Sequence, residues 1–252
     1  MTYHFINMHG FVKCRFANNI YWSHIREYSY SFQPGSYALI GQIDDGGWAL
    51  SYSLAPIKKK DVYINKWGSS DEHGIGMTRF FIDDKEVSLA YLQSISCHLG
   101  YHNKNKFASC NKSVRKQLKK AIKKGTSKYS LAELQEMFEF SDVMMDRPIY
   151  NTGTSAWRIT AAIGLAQGKK IFCFPWKSNS YIKGMVHSLE KLAKIFIKED
   201  CLLLIPLEND ELVKHFVDDT VDLSYKTYFE GLLREEALQK EAECHSDDSL
   251  NT

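Results

Sequence analysis

The chain has 252 residues, 44% of them hydrophobic and 25% charged, which suits one globular domain with a substantial core. A net charge of +2 gives no global electrostatic case for nucleic acid, and six scattered cysteines without a C-x-x-C pair argue for cytosolic thiols rather than a disulfide scaffold. No basic region precedes a long apolar run at the N-terminus, and no window approaches about 18 consecutive apolar residues, so neither a secretory leader nor a membrane span is expected.

Residues 1–60 are rich in aromatics. Residues 4–16 alternate loosely as a strand, and residues 25–32 predict another that ends at the turn pair Pro34-Gly35. A short apolar strand (Tyr37, Ala38, Leu39, Ile40) then runs into Gly41, with Gly46 five positions on and an apolar stretch resuming at Trp48. That is the G-x-x-x-x-G frame of a phosphate-binding loop. In a working loop the next residue is Lys, which meets the β- and γ-phosphates, and then Ser or Thr, which binds Mg²⁺. Here those places hold Gly47 and Trp48, and Asp44 and Asp45 put negative charge where polyphosphate would sit. A charge-assisted hydrogen bond is worth roughly 1.5–3 kcal/mol, so loss of the Lys alone is serious. Two glycines at this spacing also arise by chance, so the weight falls on residues further along the chain.

Residues 80–87 read as a strand, a tight turn and a return. His98 and His102 lie four apart with Cys97 and Cys110 nearby, but Gly100 disfavours a helix and a fourth ligand is missing, so a loop is expected rather than a metal site. Ser113 caps a helix carrying Val114, Leu118, Ala121 and Ile122 on one face, and Gly125 ends it. Residues 111–124 are strongly basic; the helix at 113–124 has the charge to contact RNA, anionic lipid or an acidic partner, but it has no interleaved aromatics for base stacking, and a solvated basic face is the commoner explanation. Ser130 and Glu133 form a capping box ahead of the next helix. From there the chain alternates: a small-residue helix at 156–166, a buried strand at 170–174 ending at Pro175, an amphipathic helix at 183–198, and a buried strand at 201–205 ending at Pro206. Cys173 and Cys201 fall in the apolar runs and read as core thiols. His187 and His215 are expected on helices, facing solvent. Continuous apolar strands separated by helices indicate a parallel sheet covered on both faces. The last ~25 residues read as a helix with a frayed polar end.

Residues 151–178, NTGTSAWRITAAIGLAQGKKIFCFPWKS, resemble the signature helix and following strand of ATP-binding cassette (ABC) ATPases, the motor subunits of ABC transporters. That family has a Ser-Gly-Gly-Gln turn, a helix ending in Ala-Leu-Ala or similar, and an apolar strand ending in Asp-Glu-Pro. Arg158, the Gly164-Leu165-Ala166 stretch and the strand at 171–174 fit that pattern. Residues 32–41 resemble the lead into the family's phosphate loop, residues 113–122 the entry to its helical subdomain, and residues 201–223 the strand, switch and helix that close its core. The match runs collinearly along most of the chain. It implies an α/β, P-loop NTPase-like fold: a mostly parallel core at about 1–103 and 166–223, a helical subdomain at about 104–165, and a C-terminal helix and polar tail at 224–252, together one domain.

The same resemblance exposes departures. Pro175 and Trp176 stand where the second acidic motif would hold Mg²⁺ and polarise water, and Leu207 stands where the switch histidine would meet the γ-phosphate. The glutamine lid would fall at Lys104, or alternatively at Gln93, and the aspartate after the second acidic motif near Ile182. Together these losses remove phosphate grip, metal and water activation. The signature-like turn keeps Thr152 and Gly153, with Thr154 in place of the next glycine. In this family the turn of one cassette caps nucleotide bound by the other, so Thr152 either serves a partner's site or simply N-caps the helix. The resemblance therefore implies a non-catalytic cassette with no metal and no tightly held cofactor of its own, Mg-ATP being shared with an active partner cassette. A membrane permease is the expected second partner, no nucleic acid is expected, and the location is the cytoplasmic face of the membrane. The alternative is a soluble regulatory or scaffold protein that reuses the cassette fold.

Overall fold

Apolar stretches at 37–40, 171–174 and 202–207 build the centre of the molecule. The structure is a computed structural model that describes residues 1–16, 19–43, 45–54, 63–64, 79–99, 111–125 and 127–224, with backbone alone considered at 7–28 and 63–64. Five strands, β3 (Gly35–Ile40), β7 (Ser96–His98), β8 (Ile171–Cys173), β9 (Leu202–Leu207) and β10 (Asp219–Asp222), form a wholly parallel sheet in the order β10-β3-β9-β8-β7. Parallel neighbours need long crossovers, and helices on both faces supply them. Along β8 and β9 the side chains alternate between two cores. Ile171, Cys173, Leu202 and Leu204 pack with Trp48, Leu50, Phe5 and Phe32. Phe172, Phe174, Leu203 and Ile205 face the other way, among Leu118, Ile159, Leu189 and Phe196. Burial on both sides is why these strands read as unbroken apolar runs. Cys173 and Cys201 are buried thiols, as expected, and burial pushes the Cys201 thiol up to about 12.

A second, antiparallel sheet flanks the first core. It holds β1 (Tyr3–Phe16), β2 (Asn19–Phe32), β5 (Arg79–Ile82) and β6 (Lys85–Val87) in the order β2-β1-β5-β6, with β4 (Tyr63–Ile64) on β1. The strand, turn and return expected at 80–87 are present, with Asp83 and Asp84 both at positive φ in the turn. Helix α1 (Gly46–Leu54) follows β3, and α2 (Leu89–Ile95) precedes β7. Between β7 and β8 come α3 (Val114–Lys124), α4 (Leu131–Met137), α5 (Asp142–Asp146), a 3-10 segment (Ile149–Ser155) and α6 (Ala156–Ala166); α7 (Asn179–Lys183) and α8 (Val186–Lys198) lead into β9. Ser113 caps α3 through the Lys116 amide, and the Ser130–Glu133 capping box opens α4 with bonds of 2.7 and 3.2 Å. Among the described residues no helix is long and apolar enough to cross a membrane.

Three expectations need correction. His98 is not in a loop: it ends β7, buried, paired in register with Cys173. Residues 211–216 form turns, so His215 sits on no helix, although it is exposed as expected. The segment expected to close the core as a helix ends instead in β10, an edge strand whose partner β3 lies far back in the sequence. Gly100, His102, Lys104, Cys110 and the C-terminal helix and tail lie outside the described residues apart from Ser224.

Candidate functional site

In open parallel sheets, ligand sites form beyond the carboxyl ends of the strands, and there β3, β8 and β9 converge on Gly41. The Gly41 amide donates to the Leu207 carbonyl at 2.9 Å, and the Trp176 Nε1–H donates to the Gly41 carbonyl at 3.0 Å. Three positions singled out in separate parts of the sequence, Gly41, Trp176 and Leu207, are thus joined by two hydrogen bonds. Trp176 is only 8% exposed and Leu207 is fully buried. Pro175 is half-buried between Phe174 and Trp176.

Asp45 fills the loop from inside. Its Oδ2 accepts the Gln42 amide at 2.7 Å while its own amide donates to the Gln42 carbonyl at 3.0 Å, and the residue is 5% exposed. The carboxylate sits just before the N-terminus of α1, where the helix dipole favours negative charge. It takes a backbone amide of the kind that cradles an anion in a phosphate loop. Gly41 is confined by this arrangement: at φ 157° a Cβ would lie 2.6 Å from the Asp45 Cβ. Asp44 lies outside the described residues.

Gly46 and Gly47 begin α1 and are buried. A Cβ on Gly47 would stand 3.1 Å from the Leu39 carbonyl oxygen and 3.2 Å from the Leu39 Cβ, so α1 lies close against β3 at this point. Trp48, 2% exposed, packs edge-on to Tyr52 at 5.3 Å, and Tyr52 meets the His98 ring at 4.8 Å. The Ser51 hydroxyl ties α1 to the end of β8 through the Phe174 carbonyl at 2.6 Å. The face of α1 that would carry a Lys and a Mg²⁺-binding hydroxyl is occupied by a close backbone approach and an aromatic chain.

Just beyond Trp176, Lys177 hydrogen-bonds through its amide to the Pro206 carbonyl at 3.3 Å, and its ammonium lies 4.6 Å from the centre of the Tyr181 ring. Burial holds its pKa below the usual lysine range. Sequence reasoning did not single out Lys177; a cation directly after the strand-ending Pro-Trp was the available signal.

The signature-like turn precedes α6, whose Trp157 ring meets Phe174 at 5.4 Å. It lies in the 3-10 segment before α6, with Gly153 at φ 54° and ψ −130°, a backbone region that glycine favours. The Thr152 hydroxyl donates back to the Ile149 carbonyl at 2.6 Å, so Thr152 does not N-cap α6; Ser155 precedes that helix without a side-chain cap. Gly153 and Thr154 are exposed. Arg158 hydrogen-bonds the Phe138 and Glu139 carbonyls and stacks on Phe140, fastening α6 to the end of α4. Gln93 is on α2, where its amide donates to the Ser53 carbonyl at 2.9 Å near the C-terminus of α1, so it does not reach the strand ends. Ile182 is buried within α7.

No protein-family model and no curated sequence matches the chain. Solved structures do. A putative ABC transporter ATP-binding protein from Pyrococcus furiosus aligns with a TM-score of 0.55 and 12% identity over 88% of this chain and 98% of that one. The dimeric bacterial ABC transporter cassette MJ0796 aligns at 0.54 and 11% over 88% and 94%. The cbiO1 protein from Clostridium perfringens, part of the ABC transporter complex cbiONQ, aligns at 0.55 and 11% over 88% and 84%. Identity this low speaks to architecture alone, and at that level the chain has the ATP-binding cassette form of the P-loop NTPase fold.

Proposed function

We propose that this chain is a non-catalytic cassette subunit of an ABC transporter, working beside an active cassette and a membrane permease. The observation that carries the reading is the self-closure of the loop at Gly41, held by Trp176 and Leu207 from outside and by the Asp45 carboxylate from within. The residues at this loop do not fit Mg-ATP. A carboxylate already holds a loop amide, Gly47 has no space for an unadjusted side chain, and Trp48, Pro175 and Trp176 supply neither a metal ligand nor a base.

The exposed Gly153 and Thr154 remain available to a partner's site, whereas the Thr152 hydroxyl is turned to its own backbone. Two identical copies would have two closed loops, so chemistry favours a different, competent partner. The likeness to cassettes that form dimers and belong to a transporter complex supports the same partners. The test is purification of the tagged chain from its native cell in mild detergent. Recovery with a multi-span membrane protein and an intact cassette is expected. Recovery with soluble proteins alone would replace this reading with the regulatory or scaffold one. Mg-ATP hydrolysis by the chain alone, abolished by changes in Gly41 to Trp48, would overturn the non-catalytic assignment.

A further inference from the structure

Helix α3 carries a charge pattern that the fold does not use. Val114, Gln117, Leu118 and Ala121 are buried, while Lys116, Lys119, Lys120, Lys123 and Lys124, with Lys112 just before the helix, are exposed. Three lysines elsewhere in the described structure form ion pairs: Lys128 with Glu199, Lys191 with Glu139, Lys194 with Glu190. The α3 arginine, Arg115, is likewise taken, by Asp142 and Asp146 of α5. None of the six lysines forms an ion pair with a carboxylate of the described residues. Lys116–Lys120, Lys119–Lys123 and Lys120–Lys124 are spaced four apart on one helix, an arrangement that like-charge repulsion disfavours. That cost is offset in part because Lys123 and Lys124 lie in the last turn, where the helix dipole favours cations.

We infer that this ridge binds anionic phospholipid directly, laying α3 against a negatively charged membrane surface. The chemistry separates this occupant from the others. The ridge has no aromatic side chain for base stacking and no free arginine fork for bidentate phosphate contact, both of which single-stranded RNA binding draws on. It also lacks the aromatic or apolar anchors that dominate protein interfaces. A lipid surface requires only several lysines brought near a plane of headgroup charge. Because the apolar face of α3 is already committed to the core, the helix cannot insert into the acyl region. Attachment is by charge alone, reversible and weakened by salt. The inference does not depend on a permease partner.

The full chain is mixed with phosphatidylcholine vesicles, with or without phosphatidylserine, and sedimented. Co-sedimentation with the anionic vesicles at low salt is expected, with release at about 0.5 M salt and no binding to the neutral vesicles. The variant K116Q/K119Q/K120Q/K123Q is expected to bind at least about a hundredfold more weakly, with its melting temperature retained, since glutamine matches lysine in helix propensity. The variant K191Q/K194Q, which removes two paired lysines, is expected to bind as the parent does. Failure of the parent to bind anionic vesicles would overturn the inference, as would equal binding by the quadruple variant. Salt-sensitive retention on single-stranded RNA without vesicle binding would overturn it in favour of nucleic acid.

Discussion

Trp176 ties down the loop through a single atom, the indole Nε1 that donates to the Gly41 carbonyl. Trp176→Phe keeps most of the ring packing and removes the donor, leaving a buried carbonyl short of a partner, so a loss of about 1–3 kcal/mol is expected in urea unfolding. An unchanged midpoint would mean that the Trp176 hydrogen bond adds nothing beyond ring packing and the Gly41–Leu207 and Gln42–Asp45 bonds. Gly47→Lys tests the other side of the loop. Its Cβ would press on the Leu39 carbonyl at 3.1 Å, so the restored lysine is expected to destabilise the fold and to confer no ATP binding. Nucleotide binding by that variant in equilibrium dialysis would show that α1 can back away from β3. The sequence located Gly41, Asp45, Gly47, Trp48, Trp176 and Leu207 because the frame has fixed spacing. It could not show that the Asp45 carboxylate turns inward onto Gln42, or that Trp176 is a donor. The first depends on the local path of the Gly41 loop and the second on a contact across 135 residues of chain, neither of which residue type alone sets.

At the scale of elements, signals carried within a few residues were legible. The Ser130–Glu133 box and the Ser113 cap are local chemistry, and both helices begin where those residues place them. Ser130→Ala is expected to cost about 1 kcal/mol in thermal or urea unfolding. Glu133 adds a pH dependence. The Ser130 backbone amide, then its hydroxyl, holds the Glu133 carboxyl below the usual glutamate range. A carboxyl depressed in the folded state stabilises fully above its unfolded pKa and loses that contribution as pH falls through the folded value. Glu133→Gln is therefore expected to be less stable than the parent at neutral pH, with the gap narrowing through the acid range. A gap constant with pH would show that the glutamate charge is irrelevant to the cap. β7 and β10 were not legible, for opposite reasons. β7 spans only Ser96–His98, too short for a period, and its histidine suggested polar exposure that burial against Tyr52 denies. β10 reads Asp-Thr-Val-Asp, polar at both ends, and is a strand because β3 offers an open edge across 182 residues of chain, the separation of its Asp219–Tyr37 pair.

Across the whole molecule, the order of elements was legible where apolar strands alternate with helices, since that alternation commits the chain to a doubly covered parallel sheet. The two cores meet at β8 and β9, and the loop at Gly41 is tied to the ends of both strands. Nucleotide binding can therefore be read as stability of the entire fold. A ligand that binds only the folded state at a hundred times its Kd adds about 2.7 kcal/mol. For a domain of this size each kcal/mol raises Tm by about 2–4 °C. Millimolar Mg-ATP should thus lift Tm by roughly 5–10 °C if the chain held nucleotide with a Kd of tens of micromolar. With the loop closed by Asp45 and Trp176, no Mg-dependent shift is expected for the isolated chain. A shift appearing only when an intact cassette is added would place the nucleotide on the partner, because the same closed loop is present in both samples. A shift in the chain alone, abolished by Gly41→Ala, would mean that Asp45 gives up the Gln42 amide to phosphate and that the closure is a gate.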